Sequence, residues 1–446
     1  MSTLLTTLLS ALVLVSGVFF TGYLRLFPWR YGGLIRREVR ASLRAGASGG
    51  FTPMQSVCTA LSATVGTGNV AGVAVALTLG GAGSVFWMWI AALLGMSTGF
   101  AENVLGVRYR EQTADGCLGG SMYPIARGLH RPRLAALMAI ACCFSALGVG
   151  CIVQASSITG ILRSAFGLSP RPVSLLLALS AGVVFLGGAK RIGRVTEILI
   201  PVMLILYVSA ALLCLCMRLS ALPRAIARIF AEALSPEAFL GGGAWAAIRQ
   251  GVSRGVFSNE AGLGTSAFAH ASAPDATPIG QGCASVAETA VDTLLICTLT
   301  ALVILTSGAA QGSGAALTAS AFAVSLGRAG EIVVAGCLAL FAFSTILGWG
   351  HFGAVAARFC FGPRGVRVLH ALMLAAIAFS GRVSLEAVWL LADLCSLLTA
   401  APNLLCCFLL RREVLTELQS ASEHRAQQLP QGLAHRPRRV RERRQI

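Results

Sequence analysis

Residues 64–72 read TVGTGNVAG and residues 257–265 read FSNEAGLGT, each inside an otherwise apolar stretch. Glycine in a helix interior costs about 1 kcal/mol relative to alanine. Gly66, Gly68 and Gly72 therefore favour an unwound turn between two half-helices. In hydrocarbon the freed N–H and C=O groups are costly, so such a break survives only where protein buries it or it lines a polar cavity. There the freed groups become ligands. N–H groups opening the second half-helix, at its positive dipole end, suit a carboxylate. Carbonyls ending the first suit Na⁺ or an ammonium group. Gly66, Thr67, Gly68 and Asn69 are thus candidate ligands of a zwitterion, Thr67 and Asn69 adding a hydroxyl and an amide.

Each of these residues also has a purely structural use. Thr67 can return its hydroxyl to its own helix, and Asn69 can tie two helices together. In the second break Ser258 and Asn259 are the polar candidates. Glu260 beside them is an intramembrane carboxylate, a functional candidate whose protonation would couple transport to H⁺, or else a cap or a partner for Arg254. Ser344 and Thr345, in FAFSTILGWG, are adjacent hydroxyls that, with carbonyls, can hold a hard cation. Gln154 is a pocket amide or an interhelical tie, and Trp349 a pocket wall or interface packing. Asp292, Glu288 and Asp393 fit helix-to-helix anchors better than ion ligands, and His351 fits packing. GTGNVAG departs from the spacing of GxGxxG and has no βαβ context.

Such helices need a bilayer, and the composition supplies the case for one. Of 446 residues, 56% are hydrophobic and 12% charged, with a mean hydropathy of +0.76. A soluble domain carries about 25% charged residues. The chain reads as an all-α polytopic membrane protein with about eleven spans, near 3–24, 55–79, 84–107, 135–160, 173–188, 195–217, 243–269, 285–308, 332–360, 366–381 and 386–410. The first span has no basic residue before it and Arg25 and Arg30 after it, as expected of an uncleaved helix. The formal charge of +17 falls in short connectors and in the tail, with no basic stripe interleaved with aromatics, so nucleic acid is not the expected partner. Arg36, Arg37, Arg131, Lys190, Arg191 and Arg364 all fall on the cytoplasmic side if the amino terminus lies outside. Fourteen scattered cysteines without CxxC spacing read as small apolar filler.

Setting aside the first span leaves about ten, five and five, each set led by a glycine-interrupted helix; an odd number per set makes the halves inverted. Such a pair points to a secondary-transporter site at the bilayer midplane. The expected organisation is a leading helix and basic connector over 1–50, a core over 51–410 with repeats near 51–217 and 243–410, and an Arg-rich, disordered cytoplasmic tail over 411–446, which anionic lipid headgroups would attract. A passive channel and a non-transporting amino-acid sensor are the rival classes. No metal cluster, nucleophile–base spacing or cofactor motif argues for an enzyme, and no cofactor is expected. No oligomeric state is read from the sequence.

At this level of detail the chain resembles the alanine or glycine:cation symporters, the sodium:alanine symporter family. TVGTGNVAGVA, GGAGSVFWMWIAALLGM (80–96), GGAKRIGRVTE (187–197), AIRQGVSRGVFSNEAGLG (247–264), DTLLICTLTALVIL (292–305), FAFSTILGWG (341–350) and APNLL (401–405) occur in family order. The resemblance implies a leucine-transporter-like five-plus-five fold with one extra leading helix. It also implies cotransport of a small neutral amino acid, alanine or glycine, with Na⁺ or H⁺ across a prokaryotic plasma membrane, the inner membrane in a Gram-negative cell. By the same resemblance Gly66, Thr67, Gly68 and Asn69 face substrate, with Ser258 and Asn259 as counterpart. Ser344 and Thr345 would bind a Na⁺ held also by carbonyls before Gly66, that of Thr64 among them. Departures fall at Cys151 and Ser156, where the family has asparagines around the retained Gln154, at Ser396 and Leu397, at His351 and at SAFAHA (266–271). They bear on substrate identity more than on the cation.

Overall fold

The computed structural model describes residues 2–44, 51–113, 116–234, 242–309, 312, 314–380 and 385–428. Almost all of them are helical. In chain order the helices are α1 (Ser2–Tyr23), α2 (Gly32–Arg44), α3 (Pro53–Thr64), α4 (Gly68–Gly80), α5 (Gly83–Arg108), α6 (Pro132–Phe166), α7 (Pro170–Phe185), α8 (Gly188–Met217), α9 (Leu222–Leu234), α10 (Gly243–Asn259), α11 (Ala267–His270), α12 (Pro278–Ser307), α13 (Ala315–Leu326), α14 (Arg328–Ala378), α15 (Leu385–Leu409) and α16 (Arg411–Gln428). One antiparallel hairpin, β1 (Glu111–Thr113) with β2 (Gly116–Leu118), pairs Gln112 with Cys117.

Among the described residues six helices are long and apolar enough to cross a membrane, and eight if each bent pair counts as one span. The expected eleven is therefore not reproduced by length and composition, for identifiable reasons. Two expected spans are merged in α14, whose 51 residues would run about 77 Å as a straight helix, far more than a hydrocarbon core of about 30 Å. It turns at Gly362, where φ is 67° and ψ −164°, just before Pro363. α7 is short, and α10 ends at a break.

Local chemistry sets the starts of the helices that matter. Thr52 accepts from the Gln55 N–H and Gln55 reciprocates, a capping box with Pro53 in the first turn of α3. Thr277 caps α12 in the same manner, ahead of Pro278. Three π-helical segments, Gly68–Gly72, Gly148–Val153 and Ala290–Cys297, widen α4, α6 and α12 where these helices carry their polar residues. Such segments are common at functional sites.

The expected disordered tail gives way, over Arg411–Gln428, to a helix bent 62° from α15. Val414 and Leu418 are buried in a cluster with Phe27 and Leu34. Glu413 takes hydrogen bonds from the Tyr109 hydroxyl (2.9 Å) and an ion pair from Arg108 (2.9 Å), which also reaches Glu417. The remainder of the expected tail, 429–446, lies outside the described residues.

Candidate functional site

The first glycine-rich stretch is a break. α3 ends at Thr64, Val65 is extended, and α4 departs at 44°. The Gly66 N–H, freed by the break, donates to Asn69 Oδ1 at 2.9 Å. A Cβ on Gly66 would lie 2.5 Å from Thr345 Oγ1, so only glycine admits this approach of α14. The second stretch breaks as well. Glu260 ends α10 in the left-handed conformation, and Gly262 and Gly264 follow with φ of 90° and 78°, values that glycine adopts without steric cost. The two broken helices run antiparallel, α10 packed on α4 and α11 on α3.

Beside the first break lies a cluster of oxygens. Ser344 Oγ is 3.5 Å from the Ser62 carbonyl, and Thr345 Oγ1 is 3.5 Å from the Val65 carbonyl. Both hydroxyls donate to the Phe341 carbonyl, at 2.8 and 3.0 Å. Oxygens about 2.3–2.6 Å from a hard cation and at right angles about it stand about 3.3–3.7 Å apart, so the paired distances across the two helices match a cation cradle. Ser344 and Thr345 are buried, at 0% and 2% exposure. Thr64, the third expected cation ligand, points elsewhere. Its hydroxyl lies 3.3 Å from Glu288 Oε1, not beside Thr345, because the last turn of α3 carries the two side chains on different faces.

The expected substrate side chains divide. Asn69, Ser258 and Asn259 are spent on α12: Asn69 Nδ2 donates to Asp292 Oδ1 (2.7 Å), Ser258 Oγ to Asp292 Oδ2 (2.8 Å) and Asn259 Nδ2 to Thr293 Oγ1 (3.1 Å). They act as struts of the breaks. Thr67 is buried and makes no cap bond to α4. Gly68 packs its bare Cα against Ser258 and the Phe257 ring. Gln154 donates to the Val149 carbonyl, leaving Oε1 buried without a partner, and the Trp349 indole N–H is likewise unpaired and buried. Trp349 packs in one cluster with Ala60 and Ala63 of α3 and Cys151 of α6, placing it beside the first half-helix.

With this geometry in view, the comparisons with known proteins are decisive for the family. The sodium:alanine symporter family profile matches residues 1–433. The chain belongs to the sodium:alanine symporter family. AgcS of Methanococcus maripaludis, named a sodium/alanine symporter, is 37% identical over 429 residues, covering 93% of this chain and 94% of AgcS. GlnT of Bacillus subtilis, named a probable sodium/glutamine symporter, is 33% identical over 416 residues, covering 92% of this chain and 87% of GlnT. The crystal structure of MhsT in complex with L-phenylalanine superposes with a TM-score of 0.58 at 16% identity, over 84% of this chain and all of MhsT. That likeness shows the fold.

In this member of the sodium:alanine symporter family, several polar residues of the site escaped the sequence reading. Glu102 of α5 carries the second break: its carboxylate accepts from the N–H groups of Gly262 (3.4 Å) and Gly264 (3.1 Å) and from Asn403 Nδ2 (2.7 Å). Glu260 accepts from Thr265 Oγ1 at 2.5 Å, spanning that break from within. His270, Gln281 and Thr293 complete the polar interior. The rule that singled out Glu260, an acid inside a span, applies equally to Glu102. His351 donates its Nε2 hydrogen toward Ser272 Oγ (2.8 Å), since the Ser272 hydroxyl is spent on the Phe268 carbonyl, and it stacks on Phe51. Among the described residues no group of three or more His, Cys, Asp or Glu side chains could hold a metal ion.

Proposed function

We propose that this protein is a secondary symporter that carries a small neutral amino acid, alanine or glycine, into the cell together with Na⁺ by alternating access. The observation that carries the reading is the set of five oxygens contributed by Ser62, Val65, Phe341, Ser344 and Thr345. They are spaced for a hard cation and sit where Gly66 leaves no side chain in the way. Na⁺ held there draws the end of α3 toward α14. Thr67 and Gly68 open α4, and their leading N–H groups, at the positive end of its dipole, receive the substrate carboxylate. The unpaired Gln154 Oε1 is an acceptor of the right kind for the ammonium group, and the Trp349 N–H is a donor for a carboxylate oxygen.

The names of AgcS and GlnT support a Na⁺-driven amino-acid cargo. The reading includes eleven crossings, with α14 counted as two and each broken helix as one. It includes repeats near 51–217 and 243–410 behind a leading helix over 1–50, the amino terminus outside and residues 411–446 in the cytoplasm of a prokaryote. Uptake of labelled alanine into proteoliposomes under an inward Na⁺ gradient tests it, with glycine and glutamine as competitors. Uptake that persists unchanged when the gradient is dissipated removes the coupling. Competition by glutamine alone replaces the cargo.

A further inference from the structure

Two carboxylates stand one helical turn apart on α12, and each is bonded to both broken helices. Glu288 takes the Thr64 hydroxyl, at the end of α3, on Oε1 (3.3 Å), and faces His270 Nε2, at the end of α11, with Oε2 (2.9 Å). His270 Nδ1 meets Gln281 Oε1 at 2.5 Å. An amide oxygen only accepts, so Nδ1 carries a hydrogen and Nε2 shares one with Glu288. Asp292 takes Asn69, in α4, on Oδ1 (2.7 Å), and Ser258, at the end of α10, on Oδ2 (2.8 Å). His270, Asn69, Ser258 and Asp292 are wholly buried, and Glu288 is 3% exposed.

The partners sort by side. α3 packs on α11, and α4 packs on α10. Glu288 therefore holds the two half-helices on one side of the breaks, and Asp292 the two on the other. We propose that Glu288 and Asp292 are two separate clamps: Glu288, with His270, keeps α3 and α11 together as one moving body, and Asp292 keeps α4 and α10 together as another. The two carboxylates are positioning residues. Glu288 acts on the cation cradle through Thr64, which stands between the two cradle residues Ser62 and Val65. Asp292 acts on the substrate site through Asn69, which in turn holds the Gly66 N–H. The inference rests on the alternating-access reading, for which the two halves of each broken helix must move as distinct bodies.

Hydrogen–deuterium exchange of the purified full-length protein in detergent tests the clamps without any transport assay. Glu288→Gln is expected to speed amide exchange about ten-fold or more in α3 and α11 while leaving α4 and α10 within about two-fold, and Asp292→Asn to do the reverse. Thr64→Val and Ser258→Ala, which delete one hydroxyl each and keep the carboxylate, give the same two patterns more weakly and stand in if a carboxamide variant does not fold. In uptake, Glu288→Gln raises the Na⁺ concentration for half-maximal rate with alanine KM little changed, and Asp292→Asn raises alanine KM. If each substitution loosens all four half-helices alike, or none, there are no separate clamps. Segregated exchange in a protein that fails to take up alanine leaves the clamps standing and overturns the transport reading instead.

Discussion

Asn69 and Asp292 meet between α4 and α12 through one nitrogen that serves two acceptors: Nδ2 lies 2.7 Å from Oδ1 and 3.1 Å from the main-chain carbonyl of Asp292. The same amide's oxygen takes the Gly66 N–H. A single side chain thus closes the first break and fixes it to α12. Asn69→Ala leaves a buried N–H and a buried carboxylate each short of a partner, at about 1–3 kcal/mol apiece. Alanine KM is expected to rise about ten-fold or more, measured by uptake at saturating Na⁺. An unchanged KM would assign the break's geometry to the main chain alone.

Thr345→Val keeps the shape of the side chain and removes one of the five cradle oxygens. Half-maximal Na⁺ is expected to rise about ten-fold, from the loss of one ligand worth about 1.5 kcal/mol or more, and Thr345→Ser is expected to restore it. Titrating uptake against Na⁺ at fixed alanine reads both, and equal Na⁺ curves for Val and Thr would place the cation elsewhere.

Gly66→Ala puts a methyl 2.5 Å from Thr345 Oγ1, inside the cradle. Overpacking of a tight contact costs about 1–3 kcal/mol, and here the side chain that must yield is a cation ligand. The variant is expected to reach the membrane and to lose Na⁺-stimulated uptake. Quantifying the protein in the membrane alongside uptake separates loss of transport from loss of protein.

Glu102→Gln replaces an acceptor-only carboxylate, surrounded by the donors of Gly262, Gly264 and Asn403, with a group that must turn an NH₂ toward at least one of them. It is expected to destabilise the protein by about 1–3 kcal/mol. Glu331→Gln, which breaks a surface pair with Arg328, is expected to cost less than about 1 kcal/mol. Thermal unfolding in detergent compares the two, and equal losses would deny Glu102 its part in holding the second break.

The breaks were legible because glycine in a helix has few other reasons to cluster, and the Ser344–Thr345 pair because hydroxyls next to freed carbonyls are chemically specific. Asp292 and Glu288 read correctly as anchors, yet their partners did not, since a pair such as Ser258 and Asp292 depends on how helices pack and leaves no spacing in the chain. Thr64 misled because a cradle there can draw on carbonyls whose side chains face another way. Glu102 lies near the end of a span, where an acid reads as interfacial. α16 looked like a solvated tail because its residues are mostly charged; Val414 and Leu418, four apart, were the stripe that seats it.

The turn at Gly362 has a bearing on sidedness. Its backbone angles belong to a region open essentially to glycine alone. A residue bearing even one methyl there would favour a straight rod over a hairpin, and everything downstream, α15 with Asn403 and the docked α16, would emerge on the wrong face of the bilayer. The orientation of the last fifth of the chain thus hangs on a position whose side chain is a hydrogen atom.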